Sequence, residues 1–328
     1  MRLRFAVAFF GLFALAASAE TTSFGVSMEG ASEIPAGDTN GMGFADLTLD
    51  GTTLRYAVVV FNIDQPMGMH IHRGRRGETS LPFITFPPGF TRYPGCPSLG
   101  APVCFERFVI RGEFEISGDD ARALRDEPSN FYLHVHNDAP PAGAVRGQVQ
   151  HARYLPIVGQ TPGAAGTHWF TRFAVLNRST VDTSPWQMEF LPQSPTGNTD
   201  RYLQLQSAIA PLDLHVSFEF PVPSYTGIGA MRILADEPIE TAASIYNGAG
   251  GPRGDFGYSV VGKTLDEART SGLLIDLTTS STADIGAGVG HRANIGYFNP
   301  QPVSVDATFR AYARSGSLLG EKTLTIPP

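Results

Sequence analysis

Two short runs decide how this chain folds: Met67-Gly68-Met69-His70-Ile71-His72 and Phe131-Tyr132-Leu133-His134-Val135-His136. Each alternates apolar with polar residues, the pattern of a strand with one buried face. Successive side chains in a strand point to opposite faces, so residues two apart share a face. In the first run Met67, Met69 and Ile71 then point one way, and Gly68, His70 and His72 the other. In the second, Phe131, Leu133 and Val135 take the apolar face, while Tyr132, His134 and His136 take the polar one. If the two strands are neighbours, four imidazoles converge on one surface.

Outward from these runs the pattern stays that of strands. Residues 23–29 and 43–49 read as a strand pair, joined by a loop containing Glu33-Ile34-Pro35-Ala36-Gly37. Asp50-Gly51-Thr52 is a hairpin-type turn, and residues 54–63, apolar on both faces, read as a central strand. After His72 comes the polar, Gly-rich Arg73-Gly74-Arg75-Arg76-Gly77-Glu78. Residues 83–86 and 105–116 flank a Pro/Gly-rich loop that holds the chain's two cysteines, Cys96 and Cys104. One helix is expected: Ser117 is its N-cap, acids occupy the first turn and Pro128 stops it. Residues 144–150 then close the sheet.

The pieces SMEGASEIPAG (27–37), ADLTLDGTTLRYAVVV (45–60), MHIHRGRRGE (69–78) and ISGDDARALRDEPSNFYLHVHNDAPPAGAVRGQV (116–149) together resemble a CHRD domain. That module is named from chordin and is common in secreted bacterial proteins. The resemblance implies an immunoglobulin-like or superoxide-dismutase-like Greek-key barrel without a settled activity. In chordin the setting is extracellular growth-factor binding, which does not transfer to this architecture. The His70-Ile71-His72 strand is also similar to the copper-ligand strand of copper/zinc superoxide dismutases. The chain departs from those enzymes in lacking zinc-loop histidines after His72 and a later His-Gly-Asp segment.

From Arg153 on, short alternating segments suggest a second β module, a sandwich or barrel. Strands are expected at 168–177, 186–191, 212–220, 230–234, 241–246, 256–261, 293–299, 303–313 and 318–326. Phe173-Ala174-Val175-Leu176-Asn177 and Ile295-Gly296-Tyr297-Phe298-Asn299 echo one another, each followed by a turn. His168, His215 and His291 are scattered, which marks them as structural or surface residues, and Asn177-Arg178-Ser179 has the form of a glycosylation sequon. No nucleophile elbow, phosphate loop or His-Glu-x-x-His occurs in this half. The expected organisation is all-β: a signal peptide over 1–19, a CHRD-like barrel over 20–151 and a β-sandwich over 152–328.

Composition bounds the setting. Arg2 and Arg4, an apolar run over 5–17 and Ala17-Ser18-Ala19 have the form of a secretory signal peptide cleaved near Ala19. Export to the periplasm or beyond is the expectation, with no membrane span. An oxidising compartment makes Cys96–Cys104 a local disulfide rather than a thiolate metal pair. The formal charge of −7, and the absence of a basic cluster, argue against nucleic acid as a partner.

The histidines carry the function. His70, His72 and His136 are candidate metal ligands, with His134 as a fourth. An all-nitrogen donor set favours copper, with zinc behind it. Met67 and Met69 are assigned to packing, Tyr132 and Arg146 to packing on the histidine face, and Asp138 to the turn before Pro140. Two other readings stay open: a metal-free module that binds an extracellular protein or envelope component, and a copper redox enzyme. No general base or substrate pocket can be named from the residues, so no catalytic residue is assigned.

Overall fold

A computed structural model describes residues 21–94, 106–138, 143–163, 166–193, 202–205, 208–217, 226–248, 257–274, 296–301 and 303–327. The expected signal peptide, the Cys96–Cys104 disulfide and His291 lie outside these residues.

The N-terminal strands are β1 (Thr21–Glu29), β2 (Met42–Asp50), β3 (Thr53–Phe61), β4 (Pro66–Arg73), β5 (Pro82–Thr85), β6 (Thr91–Tyr93), β7 (Arg107–Glu115), β8 (Phe131–Asn137) and β9 (Val145–Gln148). They pair antiparallel in the order β6–β7–β3–β2–β1–β9–β8–β4–β5. The sheet curls around one core into a barrel. Phe24, Val26, Leu47, Leu54, Val58, Ile71 and Leu133 are among the fully buried side chains inside it. The α1 helix (Gly118–Asp126) begins where expected, because the Ser117 hydroxyl accepts the Asp120 N–H and so satisfies one of the open first-turn donors. It packs Ala121 and Leu124 onto the barrel core.

No new strand begins at Arg153. Instead β10 (Gln150–Pro162) starts at the barrel, opposite Gly25 and Phe24 of β1. It runs on along β15 (Gly227–Ala235). One sheet is therefore continuous from the barrel into the C-terminal half. There β13 (Tyr202–Leu205), β12 (Trp186–Pro192), β15 and β10 form one layer. The facing layer is β14 (Leu214–Ser217), β11 (His168–Asn177), β16 (Ile239–Asn247) and β17 (Gly257–Val261). Phe173, Val175, Trp186, Phe190, Met231 and Ile233 fill the space between them. β18 (Val305–Tyr312) and β19 (Leu318–Ile326) form a separate hairpin. The all-β expectation is met.

Two local expectations change. Residues 296–299 are irregular rather than a strand. The echo survives in a different form: Asn177 and Asn299 each spread one side-chain amide over three backbone carbonyls. Each also accepts the N–H two residues on. The Asn177 amide is thus committed inside the fold and 0% exposed, so the sequon is closed to glycosylation in the folded protein.

Candidate functional site: a four-histidine face

The site is built on β4 and β8, which lie side by side. His70 stands directly opposite His134, His72 opposite Tyr132 and Gly68 opposite His136. Met69, Ile71, Leu133 and Val135 point into the core, so alternation puts all four imidazoles on the other face. Met67 breaks the alternation. The register shifts between Pro66 and Gly68, which leaves Met67 as the extra residue of a bulge and 55% exposed rather than packed in the core.

The four rings gather closely. The centroids of His70 and His136 are 5.1 Å apart with nearly parallel rings. Those of His72 and His134 are also 5.1 Å apart, and His70–His72 and His134–His136 lie at 5.8 and 5.7 Å. Gly68 makes this packing feasible, since a Cβ there would fall 2.7 Å from His136 Nε2.

His72 is the best-held member. Its Nδ1 lies 2.8 Å from the Ser80 carbonyl oxygen, which can only accept, so Nδ1 carries the proton and Nε2 presents a lone pair. Tyr132 stacks on its ring at 4.9 Å, and the Arg146 guanidinium covers the other side of Tyr132 at 3.7 Å. Arg146 is itself tied to the Glu78 carbonyl. The packing roles expected for Tyr132 and Arg146 are thus specific: they hold His72 in place.

His134 Nδ1 lies 3.3 Å from His72 Nε2. Because that Nε2 is an acceptor, a neutral His134 must donate from Nδ1, which leaves its own Nε2 bare. Facing that nitrogen at 3.7 Å is Oε1 of Glu33. Among the described residues neither atom has a hydrogen-bond partner. Glu33 comes from the loop after β1, where a 3-10 turn (Gly30–Ser32) folds the chain over the end of β8 and β9. Asp38 N–H donates to the Ala144 carbonyl, and Asn137 to the Asp38 carboxylate, pinning that loop. Residue spacing gave no hint of Glu33, which stands far from both histidine runs. The one local sign is an acid set between Ser32 and the apolar Ile34-Pro35-Ala36.

Burial sets the electrostatics. Desolvation lowers the pKa of His70, His72 and His136. It takes His134 down to about 3, helped by the other histidines and Arg146. All four imidazoles are therefore neutral at pH 7. Burial pushes the Glu33 carboxyl up to about 7, against the pull of Arg146.

Among the described residues, no three His, Cys, Asp or Glu side chains are set to hold a metal ion as they stand. What the face offers is one pair of nitrogens at ligand spacing. Two ligands about 2.0–2.1 Å from a tetrahedral metal lie roughly 3.4 Å apart, which matches His72 Nε2 and His134 Nδ1 at 3.3 Å. Asp138 is exposed at the strand end, as a turn residue. In the C-terminal half His168 packs against Phe170 and His215 against Trp186 and Phe173, in keeping with structural roles.

The family model of the CHRD domain matches residues 24–149, the segment that runs from β1 to the end of β9 and carries all four histidines. Residues 24–149 are a CHRD domain. No curated protein and no solved structure matches the chain. Within the CHRD segment the histidine face occupies the paired strands β4 and β8, with Glu33 supplied by the loop between β1 and β2.

Proposed function

We propose that this CHRD-domain protein is exported and binds a metal ion, copper ahead of zinc, through His70, His72, His134 and His136. One observation carries the reading: two neutral imidazole nitrogens, on neighbouring strands, already at the spacing of ligands to one ion. His70 and His136 stand beside that pair on the same face and complete an all-nitrogen set by side-chain rotation. Such a set suits Cu(II) on the divalent affinity order. Neutral rings meet the requirement that imidazole ligands be deprotonated. Export rests on the leader-like residues 1–19.

The test is the metal content and the Cu(II) and Zn(II) affinity of the purified full chain. The variant with alanine at all four histidines is measured alongside. Near-stoichiometric copper in the wild type, lost in a folded variant, is the expected result. Equal metal content in the two proteins, or none in either, overturns the reading.

A further inference from the structure

We propose that Glu33 is the positioning carboxylate of this site, accepting a hydrogen bond from His134 Nε2 when His134 Nδ1 ligates the ion. The inference rests on the metal-binding reading above and adds a residue and a ligating atom to it.

Two facing polar atoms have no partner among the described residues. Glu33 is 5% exposed, and its Oε1 and the His134 Nε2 face one another at 3.7 Å. A buried polar atom left unsatisfied costs about 1–3 kcal/mol, so a facing pair calls for an explanation. Gly143 shapes the gap. Any side chain there would place a Cβ 2.1 Å from His134 Nε2 and 2.8 Å from Glu33 Oε1. Glycine keeps that space clear.

With Glu33 ionised, the tautomers leave the two atoms facing with no proton between them. The Ser80 carbonyl fixes the proton of His72 on Nδ1. His134 then donates from Nδ1 to His72 Nε2, and turns a bare nitrogen towards a carboxyl. A metal ion between His72 Nε2 and His134 Nδ1 removes that N–H···N bond. The Nδ1 proton would pass to solvent and Nε2 would take one up, so the ring stays neutral and Nε2 becomes a donor aimed at Glu33. Both unsatisfied atoms are then paired at once. A ligating histidine that donates its other N–H to a carboxylate is the general arrangement that fixes ring orientation and raises ligand basicity. Here it assigns the ligating atoms as Nε2 of His72 and Nδ1 of His134.

The experiment uses the full chain, with Zn(II) alone and Cu(II) alone as probes. Wild type is compared with Glu33→Met, which has no acceptor, and Glu33→Gln, which keeps a carbonyl oxygen. Removal of such a partner typically costs about 10–100-fold in metal affinity. Glu33→Met is expected to fall in that range and Glu33→Gln between it and wild type. Nitrogen-15 spectra of the zinc-loaded wild type should show His134 protonated at Nε2. Should Glu33→Met fail to fold, Glu33→Gln and the tautomer spectrum decide. Wild-type affinity in Glu33→Met, or metal on His134 Nε2, overturns the role of Glu33 and leaves the histidine reading standing. Absence of metal binding by the wild type overturns both.

Discussion

Two buried polar clusters in this protein are built in opposite ways. At the junction of barrel and sandwich, Arg232 of β15 is 1% exposed. Among the described residues its guanidinium makes five hydrogen bonds. Two go to the Glu189 carboxylate of β12, at 2.6 and 3.0 Å. The others go to Asp46, the Ala45 carbonyl and the Val26 carbonyl in β2 and β1. Tyr154 of β10 also donates to Asp46. The facing atoms of Glu33 and His134 are also shielded from solvent, yet they are unpaired among the described residues. A cluster with every donor satisfied explains itself as structure. One with facing unsatisfied atoms is complete only in company with something else, and here that is the metal-bound state proposed above.

The largest effect is expected at Arg232. Removing one partner of a buried ion pair typically costs about 3–5 kcal/mol, because charge is left behind in a low-dielectric interior. Arg232→Met removes the guanidinium that neutralises Glu189 and Asp46, so denaturant unfolding should show a loss of that size. The double change Arg232→Met with Glu189→Met should recover much of it, because apolar side chains can replace a buried pair at little net cost. A single-variant loss below about 1 kcal/mol, the range of exposed pairs, would remove the contrast between the clusters.

How much of this was legible in the sequence follows from which contacts are local. Strand alternation placed His70, His72, His134 and His136 on one face because β4 and β8 keep their register from Gly68 to Arg73. It misplaced Met67, since a bulge is set by the partner strand and not by composition. The helix start at Ser117 was readable because capping is a contact between near neighbours in the chain. Glu33 and Arg232 were not readable. Each acts across the fold, Glu33 through a loop laid over β8 and Arg232 through the polar face of β15, which alternation alone sends to solvent. Burial of a polar face against another module leaves no periodic trace in the strand that provides it.

A second perturbation at the same junction sharpens the contrast by titration. His151 of β10 sits against the Phe24 ring, between β1 and β15. Burial, aided by Arg153, lowers its pKa to about 4. In the unfolded chain it titrates near 6.5. The folded state therefore binds fewer protons, and the stability present above about pH 6.5 is lost as pH falls through about 4. The loss amounts to at most about 3 kcal/mol, since each tenfold difference in proton affinity between the two states is worth about 1.4 kcal/mol. His151→Gln should flatten the acid limb of the stability profile measured without metal by that amount. An unchanged limb would mean that His151 is not desolvated enough in the fold to report on the junction.

The effect with an unusual sign is at Glu33. In the metal-free protein its Oε1 is unpartnered among the described residues while the carboxyl still accepts the Ile34 N–H, so where burial of the charge dominates Glu33→Met should be stabilising, by at most about 3 kcal/mol. The sign of the pH dependence follows from a pKa pushed up to about 7 from 4.5. The unfolded chain releases the Glu33 proton first, so wild-type stability is lost as pH rises from 4.5 through about 7. The advantage of Glu33→Met is then absent below pH 4.5 and complete above about 7. Added Cu(II) or Zn(II) should shift the ranking towards wild type, because metal stabilises the native state in proportion to its affinity and the variant binds less tightly. Thermal unfolding on the acid and alkaline sides of that window, with and without metal, reads both signs in one series. A variant less stable than wild type without metal would show that Glu33 is already satisfied in the fold, and the two clusters would then be of one kind.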